Sequence, residues 1–385
     1  MIKNGNSRIM KKYFILIFLI SISGIVNAQQ PVEHFKEPFS KSYPIRKEQH
    51  LEIKSYVEKM LKEQMETSLN KFQPDFFSIK NYEASLYPYR QQLRNYFGYP
   101  PPKATKGKMT KFEKAGEDKY SMVYRAWIEV AEGVHAYGIF MVPKNLKGKA
   151  PMIVAIHGGG GNPEAICGLD ERKPYHNFGY EAVKRGYIVW APGLTMLSDY
   201  SGDDTIQGVS RSILDKQLKL LGSSIIGLEI HKIIESTQTL INERPEIDAE
   251  NVGMTGLSWG GFFTMYSTAL CPFIKAAAIS GNFRDTKVEL NKTLDVHLLN
   301  GLINPFNGFG YFQAIGMICP RPCLVQLGEN DEVFEDMEGA RIEAGRSALF
   351  YEKLGIQNKF EFITHAGGHE FELESMFDFF SKYLK

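Results

Sequence analysis

The chain has 385 residues, 43% hydrophobic and 23% charged, which excludes general disorder and leaves room for one large α/β domain with extensions. Its 45 Lys and Arg residues against 44 Asp and Glu leave a formal net charge of +1, so no broad basic surface is expected for nucleic acid or anionic lipid. Four cysteines, Cys167, Cys271, Cys319 and Cys323, describe neither a disulfide scaffold nor a zinc site, which would need a second ligand cluster.

At the start of the chain, Lys11 and Lys12 precede an apolar run from Tyr13 to Ile20 that continues weakly to Ile25 and reaches Val26-Asn27-Ala28. Residues 1–28 therefore read as a signal peptide cleaved before Gln29, because the run is short for a membrane span and Ala28 is small. A retained anchor is the alternative. No cysteine follows the run to take a lipid, and no later stretch is long and apolar enough to span a bilayer. The processed protein is thus expected to be exported, periplasmic or secreted.

Residues 29–115 read as a lead-in and helical extension. Up to residue 43 the chain is polar and punctuated by proline; then Leu51, Ile53, Val57, Met60, Leu61 and Met65 recur at helical spacing and predict a helix over 48–72. A second helix is predicted over 82–96, ending before Gly98-Tyr99-Pro100-Pro101-Pro102.

Residues 116–385 carry a different pattern, read as the catalytic domain. Runs at 120–130 and 135–142 flank Ala131-Glu132-Gly133 and predict a β-hairpin. Short apolar strands at 152–156, 188–191, 252–255, 276–279, 323–327 and 360–363 then alternate with helices at 180–185, 226–242, 260–270, 340–354 and 371–385. That alternation is the mark of βαβ units and a mostly parallel sheet with helices on both faces. The stretch 285–316, irregular and containing Asp295, is expected to lie over the active-site end as an insertion. Between Cys319 and Cys323, around Pro320-Arg321-Pro322, both a bridge and free buried thiols remain open.

The sharpest motif is Gly256-Leu257-Ser258-Trp259-Gly260-Gly261, placed directly after the strand Val252-Gly253-Met254-Thr255 and directly before a helical run. A serine at such a corner is pushed out toward substrate, and the bend is tight enough to require glycines two positions away on each side. The helix N-terminus behind Ser258 also offers free N–H groups to developing negative charge.

A serine hydroxyl needs a base. His369, in His365-Ala366-Gly367-Gly368-His369-Glu370-Phe371 between the last strand and the last helix, is the candidate; His365 is read as a hydrogen-bonded loop residue. Imidazole in turn needs a carboxylate to fix its tautomer. Asp331, in Gly328-Glu329-Asn330-Asp331 after a strand, fits that role better than Glu329, Glu332, Glu335 or Asp336. His157-Gly158-Gly159-Gly160-Gly161 supplies exposed backbone N–H groups after the strand 152–156, so the expected oxyanion donors are Trp259 and either Gly159 or Gly160, with His157 structural. The loop matches neither G-x-G-x-x-G nor a P-loop.

From about residue 120 to the C-terminus these motifs, with Gly186-Tyr187-Ile188-Val189-Trp190-Ala191-Pro192, Arg244-Pro245-Glu246-Ile247-Asp248 and Ile318-Cys319-Pro320-Arg321-Pro322, resemble the dienelactone-hydrolase-like and acetyl-xylan-esterase-like branch of the α/β-hydrolase superfamily. The resemblance implies the α/β-hydrolase fold and triad roles for Ser258, Asp331 and His369. It also implies exported esterases that remove acyl or methyl groups from polysaccharide, acting without metal or cofactor. Dienelactone hydrolases proper carry a cysteine nucleophile, and Ser258 in its place points to ordinary ester cleavage. Trp259-Gly260-Gly261 also resembles prolyl-oligopeptidase peptidases, whose propeller domain exceeds the N-terminal region here. The expected partner is an esterified oligo- or polysaccharide or small ester, and the alternatives are a peptidase with Asp295 as an amino-group clamp, and a non-catalytic carbohydrate-binding homologue.

Overall fold

A computed structural model of the chain describes residues 33–170, 175–195, 211–286 and 310–384. The signal-peptide reading, Asp295 and most of the expected insertion lie outside the described residues. Two compact units divide the chain, one ending at Glu58 and one spanning Lys59–Lys385. Helix α1, Phe39–Leu69, starts in the first and ends in the second; it begins well before the predicted residue 48, with Pro44 inside it. Leu51, Ile53 and Val57, whose spacing predicted it, are exposed.

The second unit is built on a nine-stranded sheet. The predicted helix over 82–96 is two helices, α2 (Ile79–Ser85) and α3 (Tyr87–Phe97), broken at Leu86 with Pro88 in the first turn of α3. Three antiparallel strands follow, β1 (Ala104–Glu117), β2 (Ser121–Ala131) and β3 (Val134–Pro143). β1 was not expected. It is the edge strand, its lysines and glutamates exposed on both faces, a composition that hides the alternation a half-buried strand shows and that protects a sheet edge from pairing.

The parallel part comprises β4 (Ala150–Ile156), β5 (Ile188–Pro192), β6 (Ile247–Leu257), β7 (Ala276–Ser280), β8 (Cys323–Gly328) and β9 (Phe360–His365). In the sheet the order is β1-β2-β3-β5-β4-β6-β7-β8-β9, with β3 antiparallel to β5 and every later pairing parallel. The intervening helices are α4 (Pro163–Ile166), α5 (Phe178–Lys184), α6 (Arg211–Leu220), α7 (Ile225–Glu243), α8 (Trp259–Leu270), α9 (Tyr311–Ile318), α10 (Met337–Lys353) and α11 (Leu373–Tyr383). Helix α9 corrects the sequence reading, in which its residues up to 316 belonged to the irregular stretch 285–316.

Two cores form, and strand alternation assigns residues to each. Met152, Val154 and Ile156 of β4 join Ile188 and Trp190 of β5 in a core that also takes Ile226, Ile230 and Phe263 from α7 and α8. Ile153, Ala155, Val189 and Ala191, one residue out of phase, join Phe178 of α5 and Phe377 and Phe380 of α11 in the other. Helices therefore cover both sheet faces. All four cysteines are free and buried, so the open alternative at Cys319 and Cys323 resolves to thiols.

Register decides where the loops meet. Ile156 pairs with Gly256, Leu257 with Ser280, Ser280 with Gln326 and Gly328 with His365, so the loops leaving β4, β6, β7, β8 and β9 emerge side by side at the C-terminal end of the sheet. In open parallel sheets this is the end at which ligands bind.

Candidate active site

Ser258 sits between β6 and α8 with φ 60° and ψ −120°, in the left-handed half of backbone space that a serine enters at a cost of about 1–3 kcal/mol. What holds it there is close packing of helix against sheet. A Cβ on Gly260 would lie 2.1 Å from the Ile156 carbonyl oxygen, and one on Gly256 would lie 2.5 Å from Gly260, so both positions must lack a side chain. The Ser258 N–H donates to the Ser280 carbonyl at 2.9 Å, and its carbonyl accepts from the Phe262 N–H at 3.0 Å.

Asp331 and His369 come together. His369 Nδ1 lies 2.8 Å from Asp331 Oδ2, while Asp331 Oδ1 accepts the N–H groups of Val333 and Phe334 at 2.8 and 2.9 Å. Asp331 is 4% exposed. Burial works to raise its carboxyl pKa, but the hydrogen bonds from His369, Phe334 and Val333 outweigh that and hold it below the ordinary 3.8. An ionised carboxylate only accepts, so Nδ1 must carry the proton it donates to Oδ2, which in the neutral ring leaves Nε2 as the acceptor nitrogen.

Two of the other acidic residues of that loop have different work. Glu329 pairs with Arg341 at 2.7 Å, and Asp336 caps α10 by accepting the Gly339 N–H at 3.0 Å. His365 Nδ1 accepts the Gly367 N–H at 3.2 Å, a loop bond as expected. The aspartate and histidine loops are stitched together: the Asn330 N–H donates to the Gly367 carbonyl, Asn330 Nδ2 to the Ala366 carbonyl and the Glu329 N–H to the His365 carbonyl.

Leu257, which precedes Ser258, and His369 both approach Gly281. A Cβ on Gly281 would meet Leu257 at 2.7 Å and the His369 ring at 3.2 Å, and Gly281 directly follows Ser280, whose carbonyl holds the Ser258 N–H. Gly281, at φ 57°, thus leaves the gap into which the imidazole fits.

Two residues that support the site escaped the sequence reading. Phe334, 3% exposed, donates its N–H to Asp331 and stacks its ring on the His369 imidazole, centroids 5.8 Å apart and planes 10° apart. Gln326, buried within β8, accepts from Ser280 Oγ at 2.9 Å and exchanges hydrogen bonds with both backbone groups of Glu372, so it pins the far end of the histidine loop. A glutamine inside the apolar strand Cys323-Leu324-Val325-Gln326-Leu327 was the available signal, since a buried amide must be satisfied.

On the glycine-rich side, the Gly158 N–H donates to Tyr175 Oη at 3.1 Å and the Gly161 N–H closes a turn on the Gly158 carbonyl. Gly160 occupies that turn at φ 71°. Gly159 lies against Trp259, a Cβ there falling 3.2 Å from the indole Cδ1. His157 is buried, with Nδ1 2.9 Å from the Gly158 carbonyl oxygen and Nε2 accepting the Leu194 N–H at 2.9 Å; it ties the ends of β4 and β5 together, as the structural reading expects. Among the described residues no cluster of His, Cys, Asp or Glu is arranged to hold a metal ion.

No protein-family model matches the chain. YtaP of Bacillus subtilis (strain 168), a provisionally named hydrolase, is 26% identical over 247 residues, which span 60% of this chain and 76% of YtaP. A provisionally assigned acetyl xylan esterase of Bacteroides fragilis NCTC 9343 superposes with a TM-score of 0.62 at 17% identity, covering 80% of this chain and 81% of that one. A CE15 glucuronoyl esterase from Teredinibacter turnerae T7901 superposes with a TM-score of 0.57 at 17% identity, covering 82% and 90%. At such identities the likeness is one of architecture, and it agrees with the strand order and the strand-to-helix serine corner described above. The chain thus has the α/β-hydrolase fold.

Proposed function

We propose that this protein is an exported serine hydrolase that cleaves acyl or methyl esters carried on carbohydrate. Ser258 Oγ attacks the ester carbonyl while His369 Nε2 takes its proton; the oxyanion that forms is held by the Trp259 N–H and that of Gly159 or Gly160. His369 then protonates the departing alcohol, and a water molecule, deprotonated by the same nitrogen, releases the acid from the acyl-enzyme. Asp331 fixes the imidazole tautomer throughout.

The reading is supported by the 2.8 Å bond between His369 Nδ1 and Asp331 Oδ2, together with a serine held at a strained strand-to-helix corner at the same end of the sheet. Around Trp259 the first N–H groups of α8 have no partner within the helix, and Gly159 lies next to that residue, which supports it over Gly160 as the second donor. Carbohydrate as the ester's carrier is supported by the names of the structural relatives, an acetyl xylan esterase and a glucuronoyl esterase. Export is supported by the leader-like residues 1–28, and among the described residues no helix is long and apolar enough to cross a membrane.

The test is hydrolysis of acetylated, feruloylated and methyl-esterified polysaccharides, with the released acid or alcohol identified for wild type and Ser258→Ala. Release by wild type alone supports the reading. Equal release by the variant, or none from any ester, defeats it.

A further inference from the structure

Among the described residues, one guanidinium beside the proposed oxyanion site has no hydrogen-bond acceptor on one of its edges. Arg211, the first residue of α6, places its guanidinium carbon 4.7 Å from the centroid of the Trp259 ring, and Trp259 directly follows Ser258. Nε and Nη2 of Arg211 are both buried, and neither has a hydrogen-bond acceptor. Those two nitrogens lie on one edge of the guanidinium, where their N–H bonds run parallel, the spacing that two oxygens of one carboxylate match. A buried charged donor pair left unmet is costly, so the arrangement calls for an acceptor.

The neighbouring carboxylates are already engaged. Glu229 accepts the Thr195 N–H and pairs with Lys232, each at 2.9 Å. Asp215 accepts the Ile225 N–H at 2.9 Å and pairs with Lys219 at 2.8 Å. Each oxygen of the two has its own donor, and among the described residues three cations, Arg211, Lys219 and Lys232, stand with two carboxylates, one positive charge in excess. Trp259 adds an aromatic ring face to the guanidinium, a cation–π contact that takes up none of its N–H donors.

We propose that Arg211 binds a free carboxylate carried by the ester substrate, which makes the preferred substrate an ester on an acidic saccharide such as a uronic-acid oligomer. This rests on Ser258 as the nucleophile, because the guanidinium lies against the residue next to it. The planar, bidentate edge selects a carboxylate, and a lysine in its place would supply charge without the fork.

The experiment compares kcat/KM on an O-acetylated trigalacturonate with that on the same compound after its carboxylates are reduced to alcohols. Wild type should prefer the acid, and Arg211→Gln should lower the acid-to-neutral ratio by about 10- to 100-fold, with Arg211→Lys falling between. An unchanged ratio in both variants, with both substrates slowed alike, would make Arg211 structural and overturn the proposal. Calorimetric titration of unesterified trigalacturonate into Ser258→Ala protein tests binding without chemistry: tighter binding than the reduced trimer supports the site even if no ester is turned over. Equal binding of the two, or equally tight binding of a sulfated neutral trimer, overturns the carboxylate assignment.

Discussion

Replacing Asp331 by asparagine keeps the side chain's size and exchanges one oxygen for an NH2 group, and the contacts of Asp331 dictate how the amide must sit. Oδ1 accepts two backbone N–H groups, from Val333 and Phe334, so the amide oxygen belongs there and the NH2 faces His369. An NH2 donor requires Nδ1 to accept, which moves the imidazole proton to Nε2, the nitrogen proposed to take the proton of Ser258. The enzyme would then hold the wrong tautomer with its geometry intact. In a serine-protease triad the same exchange costs about 10⁴ in kcat, equivalent to about 5.5 kcal/mol of barrier, and a loss of that order is expected here.

Stability should fall much less, by about 1–3 kcal/mol, the net contribution of one hydrogen bond to a charged group. The sign of its pH dependence follows from the lowered pKa of Asp331: the contribution is present above the unfolded value and is lost as pH falls through the folded one. The assay is kcat and KM on 4-nitrophenyl acetate together with urea unfolding at neutral and acid pH. A D331N enzyme within tenfold of wild type in kcat would refute the tautomer argument.

Gly260→Ala should destabilise the fold by about 3 kcal/mol or more and abolish activity, because the new Cβ would fall on the Ile156 carbonyl and push α8 off β4; a free energy of urea unfolding within about 0.5 kcal/mol of wild type would contradict this packing. Phe334→Leu keeps most of the buried volume, so stability should change by less than about 1.5 kcal/mol, while kcat drops with KM little changed as the imidazole loses its stacking partner. A change in KM alone would show that Phe334 does not position His369. Burial raises the pKa of all four thiols, pushing Cys271 and Cys319 up to about 12. A thiol reagent at pH 8 should therefore label none in the folded protein and four after denaturation; a fast-reacting thiol in the native state would contradict this.

The parts of this molecule that were legible in its sequence are those whose signal is local. The corner at Ser258 carries its glycines, its strand and its helix within a few residues, and the inner strands β4, β5, β7 and β8 are buried on both faces and read as continuous apolar runs. Asp331 could be ranked above its acidic neighbours from position, but what separates it from Glu329 and Asp336 is where those two find partners, Arg341 and the N-terminus of α10. β1 was hidden because an exposed edge strand rich in lysine has no buried face to impose a period. The support given by Phe334 and Gln326, and the seating of Arg211 on Trp259, depend on contacts between segments remote in sequence, which no spacing rule encodes.

The account stands or falls on Ser258. Incubating the folded protein with a fluorophosphonate probe and mapping the adduct by peptide mass spectrometry asks the question directly. A single adduct on Ser258, lost in S258A and strongly slowed in H369A, is the predicted result. A protein that hydrolyses esters while its adduct lies on another residue, or that leaves Ser258 unlabelled under all conditions, would contradict the central claim.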